Sequence, residues 1–400
     1  MKHNLISSLI VCLLTLLPQL GWSQFLTGVS LFSSYDDNPF RNSFQRGDYI
    51  TTGVLSLEYI PDESPFRFFA TGNLSLFRDY PERRYFSNSF GVSYTKPFGE
   101  NEENALYAGT SYFMRFNRTL YDYYDFSQFL GYVNFKYYLD YSEGLMSRAG
   151  YRLRYRGYSN LEEFSYLEHY GFVQISKFFE SKTTVLAELD LGNKNYVSTS
   201  ASMFTATGNM NEGGMMGGWM NGRMNQSTRF ISYSRPSTTQ LIGILRVAQS
   251  LSQTTGVSVQ YLRRWDVSER TRFLSGGAVD FQGDEELWDD PYGYQGNEYN
   301  VTLTQHLPWN MTARLSADYL KKDYARRTFT PTDAETPTGP LRNDTRFVVG
   351  TDVRKSFGEV WGFFDGFTIS LSYFYQRNKS NDPYYDFRNT SFNIGLVTQF

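Results

Sequence analysis

Residues 106–116 read Leu106-Tyr107-Ala108-Gly109-Thr110-Ser111-Tyr112-Phe113-Met114-Arg115-Phe116. Residues 128–139 read Gln128-Phe129-Leu130-Gly131-Tyr132-Val133-Asn134-Phe135-Lys136-Tyr137-Tyr138-Leu139. In the first run Leu106, Ala108, Thr110, Tyr112, Met114 and Phe116 share one parity; in the second Phe129, Gly131, Val133, Phe135, Tyr137 and Leu139 do. A strand sends successive side chains to opposite faces, so a period of two over about ten residues describes a wall wetted on one face and greasy on the other. The short link between the runs reverses the chain, and the pattern resumes.

The same test from Phe25 onward finds strands near 25–34, 49–60, 66–77, 85–98, 105–117, 128–139, 146–158 and 166–179. It continues near 184–195, 239–251, 257–265, 298–307, 311–322, 346–357, 367–377 and 391–400. Sixteen strands are predicted, and an even number returns both ends of the barrel to the same side of the membrane. Connections at that side are brief: Pro61–Pro65, Asp140–Leu145, Glu180–Lys182, Ser252–Thr255 and Pro308–Asn310. Long outer loops are predicted near 196–237, 266–297 and 323–345. Lys96, Lys177, Arg263, Lys321, Lys355 and Arg377 fall on the apolar parity only near strand ends, where they reach water by snorkelling.

Composition agrees. Aromatic residues make up 18% of the chain while mean hydropathy is −0.46, and past the first segment no run approaches the ~20 apolar residues of a membrane helix. The balance of 38 basic against 41 acidic residues offers no basic stripe for nucleic acid. Lys2, His3, an apolar run from Leu5 to Leu17 and the small residues Gly21 and Ser23 form a signal peptide, residues 1–23, cut after Ser23. Residues 24–400 are then one barrel domain. Losing Cys12 with the leader removes disulfides, thiolate metal sites and cysteine nucleophiles.

At the C-terminus, Phe392, Ile394, Leu396, Thr398 and Phe400 alternate up to a final phenylalanine. This resembles the terminal signal of bacterial outer-membrane β-barrel proteins of the porin-like class, with Thr398 where a hydrophobic residue or Tyr is usual. The resemblance implies an all-β, antiparallel up-and-down transmembrane barrel in the outer membrane. It also implies contacts with lipid and lipopolysaccharide, and handling by the barrel-assembly machinery through Phe392, Ile394, Leu396 and Phe400. The stretch Tyr35-Asp36-Asp37-Asn38-Pro39-Phe40-Arg41 resembles first-loop sequences of porin-like barrels associated with polysaccharide loci.

The apolar parity of the seventh strand, Tyr151, Leu153 and Tyr155, puts Arg148, Arg152, Arg154 and Arg156 in the lumen. Alternate residues lie about 6.5–7 Å apart, so these cations need partners or anions. Glu168, Glu188 and Asp190 are the predicted inward carboxylates nearby; Arg246, Arg314, Arg346, Arg354, Asp318 and Asp352 are predicted inward further round. Two readings stay open: a charge ladder that braces the wall, or a lining that selects solutes. The loop with Met203, Met210, Met215, Met216, Met220 and Met224 has thioethers but no His or Cys, which suits a flexible loop, or one folded into the lumen, better than a copper site. The acidic loop Gly283–Asp290 lacks EF-hand spacing and is expected to be a solvated surface loop.

No G-x-S-x-G elbow, H-E-x-x-H motif or Walker loop occurs. His306 falls at the inner end of its strand and His169 on the lipid parity, an interfacial placement. No catalysis, metal or cofactor is expected. The expected function is passage of small polar solutes through a charged channel; the alternatives are a surface-binding or structural barrel with a blocked lumen, or one accessory to polysaccharide export. Deleting Phe400 is expected to impair outer-membrane assembly without affecting secretion across the inner membrane. Heat-modifiable, membrane-inserted protein at normal yield would contradict the terminal signal.

Overall fold

The computed structural model describes residues 24–197, 203–204, 228–229, 237–268, 285–328, 340–358 and 366–399. Sixteen antiparallel strands close into one barrel, each paired with its neighbours in sequence. They are β1 (Phe25–Asp36), β2 (Asp48–Tyr59), β3 (Phe66–Phe77), β4 (Tyr85–Phe98), β5 (Asn104–Asn117), β6 (Phe126–Asp140), β7 (Leu145–Tyr158) and β8 (Tyr166–Phe178). Then follow β9 (Thr183–Tyr196), β10 (Ser237–Ser250), β11 (Thr255–Asp266), β12 (Gln295–Leu307), β13 (Met311–Thr328), β14 (Leu341–Phe357), β15 (Gly366–Ser380) and β16 (Phe387–Gln399). β16 closes on β1 from Gly28 opposite Gln399 to Asp36 opposite Ser391, so neither strand offers a free edge to lipid. Two-residue pieces at Met203–Phe204 and Thr228–Arg229 pair with each other and are not part of the barrel sheet.

The pairing registers carry one parity around the wall. Phe90, Phe116, Phe129, Phe135, Leu189, Leu191, Val259, Val301, Leu315, Phe392, Ile394 and Leu396 are large apolar residues exposed on the outer surface. So wide an apolar surface is a misfit in water and a match to hydrocarbon. Aromatic pairs mark both rims: Tyr35 with Tyr49 (4.8 Å) at one end, and Phe25 with Tyr59 (4.7 Å) and Phe66 with Tyr94 (5.0 Å) at the other. Tyrosine and its relatives suit that depth because one edge is apolar and the other wet. Among the described residues no helix is long and apolar enough to cross a membrane.

The predicted strands and the observed ones differ mainly at the outer ends. β13 runs on to Thr328 and β14 begins at Leu341, with a register irregularity between Asp323 and Thr328, so the expected loop 323–345 shrinks to 329–340. Lys321, Lys322 and Asp323 follow one another there, charged on both faces, because this part of the hairpin rises above the lipid. Alternation is imposed only where hydrocarbon touches one face. The other two long loops lie at 197–236 and 267–294. Residues 1–23, the side chains of the methionine-rich loop, and Phe400 lie outside the described residues.

On β12, Val301 faces lipid and Thr302 the lumen. Val301→Lys is expected to cost about 2–4 kcal/mol, whereas Thr302→Lys is expected to be nearly neutral. Denaturant unfolding of the two variants in detergent or bilayers checks the assignment; equal cost would contradict the register.

Candidate functional site

The connection between β11 and β12 turns into the barrel mouth. Residues Glu285–Trp288 make one helical turn, and Asp290 then caps a second short turn, Pro291–Gly293, by accepting the Tyr292 backbone N–H at 3.0 Å. Proline at the first position of that turn sacrifices no hydrogen bond, since its N–H would lack an acceptor there. This latch segment carries three carboxylates inward, and each meets cations of the wall.

Glu286 takes Arg154 Nη1 at 2.7 Å and Arg156 Nη1 at 3.2 Å, and accepts the Tyr166 hydroxyl. Asp290 takes Lys194 Nζ at 2.5 Å and the Tyr196 hydroxyl at 3.0 Å. Asp289 pairs with Lys322, accepts the Tyr324 hydroxyl, and lies 3.2 Å from Arg346 Nη2. Further hydrogen bonds join latch and wall: Tyr292 donates to the Glu168 carboxylate at 2.7 Å, Gln240 donates to the Pro291 carbonyl at 2.5 Å, and Thr238 to the Tyr292 carbonyl at 3.3 Å. The latch therefore grips β7, β8, β9, β10, β13 and β14.

Two apolar features fix its seat. Leu287 is buried in an aromatic cluster of Tyr121, Tyr123, Tyr124, Phe126, Tyr158, Leu161 and Phe164, contributed by the connections 118–125 and 159–165 and the adjoining strand ends. Gly192 on β9 leaves room for Tyr292: a Cβ there would lie 2.2 Å from the Tyr292 hydroxyl oxygen and about 3 Å from its ring. Burial pushes the Glu286 carboxyl toward protonation, but the Arg156, Lys194 and Arg154 charges around it outweigh burial and hold it well below the ordinary range.

The arginine row lies on the predicted parity. Arg154 pairs with Glu168 at 2.6 Å as well as with Glu286, and Arg156 is held by Gln128 at 2.9 and 3.1 Å. Arg152 stays 40% exposed, 3.7 Å from Glu168, and stacks over Tyr170 at 4.5 Å. Arg148 lies nearer the periplasmic end and sends its field to Glu188. Glu188 and Asp190 do not pair with the row: Glu188 accepts from Gln174, and Asp190 accepts the Tyr170 hydroxyl at 2.6 Å. Further round, Arg354 pairs with Asp352 at 2.6 Å, and Asp318 meets Glu298. Arg246 and Arg314 share the inward parity through their registers, Arg246 opposite Gln260 and Arg314 opposite Asp352.

The acidic loop is the correction. It was expected to be solvated at the surface, yet residues 286, 289 and 290 are the counterions of the mouth. A run of carboxylates carries no sign of whether water or a cation row will neutralise it; the unpaired surplus of inward arginines was the available signal. Lys194, Arg264, Glu298, Lys322, Arg342 and Asp344 also face inward, as extending the parity test to every strand would have found.

A closed sixteen-stranded antiparallel barrel with a lipid-fitted exterior and a charged interior defines a bacterial outer-membrane β-barrel protein. Over residues 255–400 the chain matches the family model described as surface lipoprotein assembly modifier. No curated protein matches it by sequence. Among solved structures it is similar to OpdK of Pseudomonas aeruginosa with vanillate, at 11% identity, covering 94% of this chain and 99% of that one, with a TM-score of 0.49. It is also similar to Acinetobacter baumannii OccAB1 (9%, 94% and 96%, TM-score 0.49) and to P. aeruginosa OccK2 (OpdF) in complex with glucuronate (10%, 94% and 97%, TM-score 0.49).

Because the docked latch favours ionised Glu286, its contribution is complete above the ordinary glutamate value of ~4.3 and declines as pH falls from there toward the depressed value of the docked state. Amide hydrogen exchange in 285–294, normalised for intrinsic rate, is expected to show protection at pH 7 that weakens below about pH 4. Gly192→Ala is expected to weaken it at every pH. Protection indifferent to both changes would contradict this docking.

Proposed function

We propose that the protein is an outer-membrane channel for small polar solutes, with its outer mouth narrowed by the latch segment. The observation that carries the reading is the state of the inward charges below the mouth. Arg152, midway along β7 on the inward parity, keeps 40% of its side chain exposed, and Arg246 on the inward parity of β10 is exposed as well. In a barrel packed shut by side chains such guanidinium groups would be desolvated; their exposure supports an aqueous lumen, which sixteen strands are wide enough to leave. Arg148, Arg152, Arg246, Arg314 and Arg354 supply positive lining, while Glu188, Asp190, Asp318 and Asp352 offset it. The wall thus favours polar solutes over strict selection by sign. Arg154, Arg156, Glu168 and Arg346 serve the latch, which unites the two readings of the charge row: the same guanidinium groups brace the mouth and set its width.

Reconstitution in planar bilayers tests the reading. The native barrel is expected to give discrete ohmic conductance steps, and Glu286→Gln with Asp289→Asn, which unpairs the latch, to give larger ones. Replacing Arg246, Arg314 and Arg354 by Gln is expected to shift the reversal potential toward cations. Absence of conductance from both the native barrel and the latch variant would count against a channel.

A second reading is a role in placing lipoproteins on the cell surface, favoured by the family match over residues 255–400. Protease shaving of a deletion strain separates the two, since loss of surface-exposed lipoproteins with unchanged solute uptake supports the second.

A further inference from the structure

Beneath the latch lies a cavity of about 340 Å³, lined by Arg152, Arg264, Glu188, Asp190, Tyr170 and Tyr292 among others. Its volume falls at the small end of the range for ligand pockets. Most charges around it are committed: Arg154 is held by Glu168 and Glu286, and Asp290 by Lys194. Four are not fully committed. Arg152 Nε and Arg264 Nε have no hydrogen-bond partner among the described residues, nor has Asp190 Oδ1, although Asp190 is only 2% exposed. The carboxylate nearest Arg152, Glu168, is already taken by Arg154 and Tyr292. The Glu188 and Asp190 carboxyls meet each other, an arrangement that a hydrogen-bond donor or a cation relieves.

Two guanidinium groups on one side and a pair of carboxyls on the other, all with spare capacity, make a site divided in space by charge. A simple anion would satisfy the guanidinium groups and repel the acids, and a simple cation would do the reverse. We propose that this cavity recognises a small zwitterion of amino-acid size, its carboxylate set against Arg152 and Arg264 and its ammonium against Asp190 and Glu188. Tyr170 orients the acid side by donating to Asp190 and stacks under Arg152 on the other, while Tyr292 of the latch forms the roof. The solute would therefore touch wall and latch together. This inference rests on the channel reading and names the solute class for the same lumen.

Proteoliposomes holding the full barrel test it with labelled L-glutamine as zwitterion and xylitol as an uncharged solute of similar size. Saturable glutamine entry is expected, exceeding xylitol at low concentration, with glutarate and 1,5-diaminopentane competing poorly. Loss of one charge-assisted hydrogen bond in Asp190→Asn should lower the ratio of low-concentration glutamine entry to xylitol entry by about tenfold. Arg264→Gln, on a different strand, should act alike and guards against a folding defect in the first variant. Non-saturable entry of both solutes, or variants that slow both equally, overturns the zwitterion site and leaves the channel standing. Exclusion of both solutes by the native barrel and by the latch variant overturns the channel reading and this inference with it.

Discussion

Hydrocarbon offers no hydrogen bonds, and that constraint governs every other feature of this protein. Each backbone N–H and C=O within the membrane has to be paired inside the chain, which requires either helices or a closed sheet. Strands rich in aromatic and β-branched residues, with no sufficiently long apolar run, leave closure as the solution, and β16 meeting β1 completes it. Closure then sorts side chains by parity alone, because a strand slipped by one residue would exchange its two faces. For β7 such a slip would put Arg148, Arg152, Arg154 and Arg156 into lipid, where an arginine at mid-membrane costs about 2–4 kcal/mol. The register of the wall and the charge of the lumen are one decision.

Charge gathered inside by that rule has to be neutralised inside. The upper wall of β7, β9, β13 and β14 carries Arg154, Arg156, Lys194, Lys322 and Arg346 toward the mouth, and the wall's own carboxylates there are too few for them. Glu168 serves Arg154, but Glu286, Asp289 and Asp290 arrive from a loop. The loop is drawn inward by the same imbalance that lipid imposed on the strands. Hydroxyls of Tyr166, Tyr196 and Tyr324 fill remaining acceptor sites on those carboxylates, which is what lets ions persist at such low exposure.

The wall was legible in the sequence because lipid enforces a pattern that can be counted. β3 and β4 begin and end at the residues the alternation indicates, and Phe392, Ile394 and Leu396 stand on the outward face. Legibility fails where lipid stops. The strand runs on from Asp323 to Thr328 across a register irregularity beyond the lipid-facing part of the wall, so nothing in the alternation announces it. The site was half legible for the same reason. Parity fixed where Arg152, Arg154 and Asp190 point, but Glu286 lies 118 residues beyond Glu168 in a segment with no period at all. Its position follows from the charge left over by the wall, a sum taken over several strands and invisible to any local window.

Why the mouth is held by ions rather than by an apolar plug follows from the magnitudes. A buried ion pair is formed against a desolvation cost of several kcal/mol per ion, so its net contribution to docking is small even though removing one partner costs about 3–5 kcal/mol. Leu287 is the apolar anchor of the segment, and burying one leucine contributes about 1.5–3 kcal/mol. An all-apolar segment of equal length would dock far more tightly and, once released, expose a greasy surface to water in the mouth. Were an ionic latch of this kind to undock, both its carboxylates and the wall's guanidinium groups would be readily solvated. The chemistry of the seat therefore joins a well-defined docked geometry to a dependence on pH and ionic strength that an apolar plug would lack.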